Sequence, residues 1–375
     1  MANHQAERVT VALIFGGVSS EHDVSCLTAG GVTRAIDSER FDVVGIGITP
    51  SGRWVQVPLA DMRAMEVVDD RLPRLDEGRP EASVFRGTNG GGRVATLDGD
   101  RLSDVHDFDV AFALLHGPFG EDGTIQGLFE MLGIRYVGSG VAASANGMDK
   151  DIMKRQLMGA GLRVSPWVTI TKAAWDANPG RLLDKCSADL SFPLYVKPAR
   201  AGSSMGISRV TGPADLPAAI QAAQQHDPKV LVEEGLVGVR EIELSVLGVT
   251  GGRPRVSIAG EILVHTDDAF YDYEAKYTPD ERVTLQIPAD VSPALLSRMQ
   301  RVAATAFNSL DCEGLARVDL FVTEDDDVVV NEINTMPGFT RTSMYPSLWA
   351  ASGLAYPDLI AALVQLALER PMGLR

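Results

Sequence analysis

The sequence predicts an α/β protein with α+β elements, built as three successive domains that begin with a parallel βαβ sheet. Three observations carry this. First, Val9–Phe15, Gly16-Gly17, Glu21–Ile36 and Val43–Ile48 read as strand, glycine turn, helix and strand. That order builds a parallel strand pair joined by a crossover helix. Second, 375 residues at ~150 per domain give two or three domains. Third, a small α+β block follows residue 140, and from about residue 240 the strands lengthen.

In the first domain (1–140), Ser19 or Ser20 is expected to cap the helix that starts at Glu21. Residues 58–105 mix charge, Pro73, Pro80 and Gly90-Gly91-Gly92 with little periodicity, and read as a variable insert or long connection. Val110–Leu115 resumes the buried core, Gly123–Leu132 reads as a helix, and Tyr136-Val137-Gly138 starts a further strand. The central domain (141–239) opens with an amphipathic helix, Met148–Ala160. Strands follow at Leu194–Pro198 and Ile207–Val210, then a helix at Ala214–Gln225 and a strand at Val230–Glu233. In the last domain (240–375) the strands lengthen: Glu241–Val249, Val256–Leu263, Leu315–Val322 and Val328–Ile333. A helix at Ala294–Leu310 lies among them, and one at Tyr356–Leu368 closes the chain.

Composition narrows the function. Apolar residues make up 45% and charged residues 22%, ordinary for a globular protein. The net charge of −16 repels phosphodiester backbones and anionic lipid, so neither nucleic acid nor a membrane is an expected partner. No apolar run approaches the ~18 residues of a membrane span. The N-terminal segment lacks the basic start and small-residue cleavage site of a signal peptide and reads as the first strand. Cys26, Cys186 and Cys312 are odd in number and far apart, which fits a reducing compartment. The expected location is the cytoplasm.

The stretch richest in chemistry is Gly314–Val322, the acidic turn Glu324–Asp327, and Val328–Thr335. Side chains alternate along a strand, so Arg317 and Asp319 share one face, as do Glu332 and Asn334. A turn centred on Asp325-Asp326 puts 319 opposite 332 and 317 opposite 334. One sheet face then carries two carboxylates, an amide and a guanidinium. Such hard oxygen donors suit Mg²⁺, whereas zinc would want His or Cys. The alternative is a solvated hairpin with charges outward, and the long apolar flanks weigh against it. Lys197, at the end of a buried strand before Gly202-Ser203-Ser204, can grip phosphate oxygens while the loop's N–H groups add donors; the same loop also reads as a plain flexible turn. Glu233 and Glu234 end a strand, either to meet ribose or adenine or as a solvated strand end. Glu21, in a helix's first turn, either satisfies the helix dipole or holds a substrate ammonium. His116 lies in Leu-His-Gly-Pro-Phe-Gly-Glu-Asp-Gly, where crowded glycine and acid favour a site over a structural histidine. Phe270–Tyr277 reads as a lid or a surface turn.

Taken together the residues resemble the D-alanine–D-alanine ligases of the ATP-grasp superfamily. The matching motifs, in order, are GGVSSEHDVS, LHGPFGEDGTIQG, YVGSGVAASANGMDK, VKPARAGSSMGIS, FYDYEAKY, GLARVDLF and NEINTMPGFTRTS. The resemblance implies a three-domain ATP-grasp ligase that makes D-alanyl-D-alanine for the cell wall from D-alanine and ATP through an acyl phosphate. It implies two Mg²⁺ ions, replaceable by Mn²⁺, on Asp319, Glu332 and Asn334. It implies nucleotide contacts from Lys150, Lys197, Ser203, Ser204, Glu233, Glu234, Leu236, Glu241 and Lys276. Glu21 and His116 are implied at the first D-alanine, with Ser203 and Tyr277 linking loop and lid to Glu21. Arg317, Gly338, Ser343 and Met344 are implied around the second substrate and the oxyanion. It also implies a homodimer. Tyr277, neutral at pH 7, is expected to admit D-alanine as acceptor in preference to D-lactate. Two rivals stand beside this reading: another ligase of the superfamily, including a depsipeptide-forming one, and a binding module that has lost catalysis. Loss of catalysis is opposed by the presence of Arg317, Asp319, Glu332 and Asn334.

Overall fold

The computed structural model describes residues 8–202, 205–249, 251–265 and 283–373. Ser203, Ser204, Lys276 and Tyr277 lie outside the described residues.

The chain first forms β1 (Val9–Gly16), the helix His22–Ala35, β2 (Phe41–Ile48) and β3 (Trp54–Val57). It continues through β4 (Ala82–Arg86), β5 (Gly92–Asp98) and β6 (Arg101–Phe108) to β7 (Val110–Ala113). One sheet has the order β3-β2-β1-β7. Its β1 is parallel to both β2 and β7, as the strand–helix–strand order predicts. Its apolar residues are covered on one side by the helix His22–Ala35 and on the other by the helix Thr124–Leu132.

Four expectations for this region are corrected. Glu21 itself occupies the N-cap position of the first helix. Ser19 instead donates to the His116 carbonyl at 2.8 Å and accepts from the Glu21 N–H at 3.2 Å. Residues 58–105 are an ordered layer, with a short helix at Leu59–Arg63 and an antiparallel sheet β4-β5-β6. Tyr136 makes only an isolated parallel bridge to Ala111, not a strand. Finally, a separate helix, Val141–Met148, precedes Lys150–Gly159. Asp149 divides them because its side chain accepts from the N–H groups of Asp151 and Ile152, capping the second helix.

A second sheet, order β10-β9-β11-β8, comprises β8 (Trp167–Thr171), β9 (Leu194–Pro198), β10 (Ser208–Val210) and β11 (Lys229–Glu234). All its pairings are antiparallel. Helices Pro179–Asp189 and Leu216–Ala223 close its own apolar core. A third sheet, β14-β13-β12-β15-β16, contains β12 (Arg240–Gly248), β13 (Arg255–Val264), β14 (Val283–Gln286), β15 (Gly314–Val322) and β16 (Val328–Asn334). The helix Pro293–Ser309 buries Met299, Ala303 and Phe307 against one of its faces. The opposite face, at the β15–β16 end, opens into a cavity.

Candidate active site

β15 and β16 pair in the register that the acidic turn predicts. Arg317 stands opposite Asn334, and Asp319 opposite Glu332. An extra residue, Asn331, forms a bulge, so that Leu320 pairs with Val330 beyond it. β12 extends the row on the other side, with Glu243 opposite Asp319 and Ser245 opposite Arg317. Three carboxylates therefore cross three adjacent strands in one line.

Arg317 is the cation within that line. Its Nε and Nη2 donate to the two oxygens of Asp319, each at 2.7 Å. Its Nε also lies 3.0 Å from Glu243 Oε2. Asn334 Nδ2 donates to Asp319 at 3.0 Å. Burial works against the guanidinium charge, but Asp319 and Glu243 outweigh it and hold Arg317 well above its ordinary range. Among the described residues no three His, Cys, Asp or Glu side chains stand together as a ready-made metal cage. Two cross-strand carboxylates with an adjacent amide still form a hard-oxygen donor set that fits Mg²⁺ completed by water.

The row lines one wall of a cavity of about 700 Å³. Most of the predicted residues meet there: Glu21 and His116 from the first sheet's loops, Lys150, and Lys197, Glu233, Glu234 and Leu236 around β9 and β11. Glu241, Arg317, Asp319, Glu332, Asn334 and Gly338 complete it from the third sheet. Glu21, 7% exposed, is wedged between two glycines. A Cβ on Gly117 would stand 2.6 Å from its Oε2, and one on Gly202 would stand 3.0 Å away. Gly117 also has φ +71, so two independent constraints require glycine there. Gly235, beside Glu234 in the cavity wall, has its space filled by the Tyr195 ring, 2.7 Å from where a Cβ would lie.

The lysine end of the cavity is an ion-pair cluster. Glu233 receives Lys197 at 3.3 Å on one oxygen and Lys154 at 3.2 Å on the other. Burial pushes its carboxyl up, but the two ammonium groups outweigh this and hold it below the usual range. Lys150 Nζ donates to the Ala201 carbonyl at 2.9 Å, and burial lowers it. Glu234 accepts from the Ser191 N–H at 2.8 Å, so it also fastens the turn before β9. His116 places Nδ1 3.2 Å from the Met336 carbonyl, which requires that nitrogen to be protonated. Its Nε2 is buried and has no hydrogen-bond partner among the described residues. Burial lowers the ring's pKa, so it is neutral and Nε2 is an acceptor.

Two predicted residues are placed elsewhere. Ser343 precedes the helix Met344–Ala351 and exchanges hydrogen bonds with Thr340, Oγ to Oγ1 at 2.6 Å. Met344 is buried with Ile262 and Leu348 and packs over Gly260. Neither lines the cavity. Two cavity-lining residues, Glu121 and Glu243, and one buried behind Glu233, Lys154, were not anticipated. Glu121, five residues past His116 in the same motif, accepts from the Gly117 N–H at 2.7 Å. Burial and the Glu21 charge push its carboxyl up to about 8. Glu243 follows Glu241 by two, the spacing that shares a strand face, and Lys154 follows Lys150 by four, the spacing that shares a helix face.

A profile described as the D-ala D-ala ligase N-terminus matches residues 10–139, and one described as the D-ala D-ala ligase C-terminus matches residues 157–365. The D-alanine–D-alanine ligase of Kineococcus radiotolerans is 50% identical over 372 residues, spanning 97% of this chain and 98% of its own. The chain belongs to the D-alanine–D-alanine ligase family. Solved structures agree with that family's ATP-grasp fold. The VanG D-Ala:D-Ser ligase from Enterococcus faecalis superposes with a TM-score of 0.81 at 34% identity, covering 96% of this chain and all of that one. The D-alanine–D-alanine ligase from Coxiella burnetii gives 0.78 at 31% identity, with 97% and 95% covered. As a member of this ligase family, the chain uses a nucleotide and a metal ion.

Proposed function

We propose that this chain joins two D-alanine molecules, using ATP, to give D-alanyl-D-alanine, ADP and phosphate for peptidoglycan precursor synthesis. The observation that carries the reading is the single cavity into which Glu21, the Lys150/Lys197/Glu233 cluster and the Arg317–Asp319 row all project. The D-alanine–D-alanine ligases of Kineococcus radiotolerans and Coxiella burnetii named above support the substrate. Glu21 holds the ammonium of the first D-alanine, aided by the acceptor Nε2 of His116. Lys150 and Lys197 draw the nucleotide phosphates in and offset their repulsion of the substrate carboxylate. That carboxylate attacks the γ-phosphorus, ADP departs, and an acyl phosphate remains. The amine of the second D-alanine attacks the acyl carbon, Arg317 and the Gly338 backbone stabilise the oxyanion, and phosphate leaves. Asp319, Glu332 and Asn334 would hold two Mg²⁺ ions, with Mn²⁺ as substitute, whose charge neutralises the transferring phosphate. By the family resemblance, Ser203, Ser204 and Lys276 would contact the nucleotide, and Ser203 and Tyr277 would link to Glu21 so that water is kept from the acyl phosphate.

The same reading places the chain in the cytoplasm, where ATP is available and the buried thiols of Cys26, Cys186 and Cys312 stay reduced, and makes it a homodimer. The test is ADP formation by the purified chain with D-alanine, L-alanine, D-serine or D-lactate, followed by product analysis with the D-acceptors at equal concentration. D-Alanine-dependent turnover with D-alanyl-D-alanine as the main product is expected. Predominant depsipeptide or D-alanyl-D-serine would overturn the acceptor assignment, and no amino-acid-dependent ADP would overturn the reaction.

A further inference from the structure

Asp319 faces two demands in the proposed reaction. Its carboxylate already accepts both prongs of Arg317 and the amide of Asn334. A carboxylate offers about four lone-pair sites, so little acceptor capacity remains for a cation. Asp319 would have to share its charge between a divalent ion bound there and the Arg317 fork. Arg317 is the group the reaction needs at the oxyanion, and a buried guanidinium that loses its counter-ion is strongly disfavoured.

β12 supplies a second carboxylate at the required place. Glu243 is 4% exposed and stands opposite Asp319 in the ladder. Its Oε2 is 3.0 Å from Arg317 Nε, a nitrogen with a single proton that is directed at Asp319 Oδ1 at 2.7 Å. Glu243 thus lies in charge contact beside a hydrogen bond that Asp319 holds. A small rotation of the Arg317 head would transfer that proton's direction from one carboxylate to the other without moving the strand. Three carboxylates against one guanidinium also leave the row two charges negative, which favours divalent cations beside it.

Building on the proposed function, we propose that Glu243 is a positioning residue that takes over Arg317 as Asp319 turns to the divalent cation. One row of side chains can then hold the cation and keep the oxyanion donor in place. The arrangement separates Glu243 from the cation ligands: its charge serves Arg317, and through Arg317 it sets how readily Asp319 is released.

The experiment is a calorimetric titration of the purified chain with ADP at a series of Mg²⁺ concentrations. In Glu243→Gln the neutral amide leaves Arg317 committed to Asp319. The Mg²⁺ concentration that gives half of the gain in ADP affinity is expected to rise about tenfold, while ADP affinity without Mg²⁺ stays within about twofold of wild type. Glu243→Asp keeps the charge but draws it back by one methylene, and an intermediate rise of about threefold is expected. An unchanged Mg²⁺ dependence in Glu243→Gln overturns the proposal, as does an equal loss of ADP affinity with and without Mg²⁺. Should Glu243→Gln not fold by circular dichroism, Glu243→Asp decides alone, and a wild-type Mg²⁺ dependence there overturns it. Wild-type chain that binds ADP with Mg²⁺ but shows no D-alanine-dependent turnover would refute the proposed reaction and leave this titration readable.

Discussion

Asp319 is the residue on which most of the site's charge converges, since it binds Arg317 through both oxygens and Asn334 through one. Asp319→Asn removes the charge while keeping the shape. D-Alanine-dependent ADP formation is expected to fall by ~10²-fold or more, the scale of losing a principal electrostatic stabiliser, with the far-ultraviolet circular dichroism spectrum unchanged. Activity near wild type would falsify its assignment as a metal ligand. Glu121 yields a prediction with a definite sign. Its carboxyl titrates near 8 in the folded chain, against the usual 4.5. Between those values the folded state keeps a proton that the unfolded state has lost, so raising the pH favours unfolding, and the penalty is complete above about pH 8. Glu121→Gln cannot ionise. Its melting temperature relative to wild type is therefore expected to climb from pH 5 to 8 and level off beyond; a gap independent of pH would show that Glu121 ionises normally. Residues of this kind are hard to read from sequence. Arg317, Asp319, Glu332 and Asn334 were legible because strand alternation and one acidic turn determine which side chains face each other. Glu121 and Glu243 sit in the same motifs and strands, but their importance comes from neighbours brought by other elements, Glu21 for the one and Arg317 for the other.

The elements divide in the same way. Strands that carry a continuous apolar run and are buried on both faces over most of it, such as β1, β12, β15 and β16, fall where those runs place them to within two residues. The β4–β6 layer was read as an insert with no regular structure because β6 is exposed on both faces from Arg101 to Asp107, so no hydrophobic alternation marks it. The layer is held by Ala82, Val94 and Phe108 in the core, while the short helix Leu59–Arg63 before it docks by close approach to glycines. A Cβ on Gly30 would meet the Met65 carbonyl at 2.1 Å, and one on Gly45 would meet Met62 Sδ and the Val57 carbonyl, both at 2.3 Å. Gly30 and Gly31 are adjacent in the helix His22–Ala35, and they make a matched pair. In an open helical position Gly→Ala stabilises by roughly 0.5–1 kcal/mol. Gly31→Ala, whose nearest neighbour is Tyr356 Oη at 3.8 Å, is expected to show that gain in urea denaturation. Gly30→Ala is expected to lose about 1–3 kcal/mol, because the added methyl drives Met65 and the short helix before it away from the helix His22–Ala35. Opposite signs from neighbouring glycines would identify the docking contact; two gains would show that the insert yields without cost.

At the scale of the whole molecule, the cavity exists because three sheets bring different chemistry to one place, and two of those sheets share a core. The helix Tyr356–Glu369, the chain's last, packs against β7, β15 and the helix His22–Ala35. Its residues Leu359, Ile360, Leu363 and Val364 are buried in the same cluster as Val11, Leu13 and Phe15 of β1 and Leu315 of β15. Tyr356 Oη donates to the Phe339 carbonyl at 2.6 Å, which ties this helix to the segment carrying Gly338. The antiparallel sheet β8–β11, which carries Lys197 and Glu233, has a separate core, whereas Lys150 and Lys154 lie on a helix whose Met153 and Leu157 join the third sheet's core, and Glu21 and Arg317 are carried by the two sheets that share one. This coupling was not visible in the sequence, where the last helix showed only its own apolar stripe and nothing said which sheets it would join. Leu363, 0% exposed, tests it. Leu363→Ala leaves a cavity at the junction and is expected to cost about 2–5 kcal/mol. Native-state hydrogen exchange should then show protection falling together in β1 and β15, which are remote in sequence, while β9 and β11 keep wild-type rates. Loss confined to β15 would mean that the first sheet holds its position without the last helix. The fixed geometry between Glu21 and Arg317 would then have to come from the His116–Met336 contact instead.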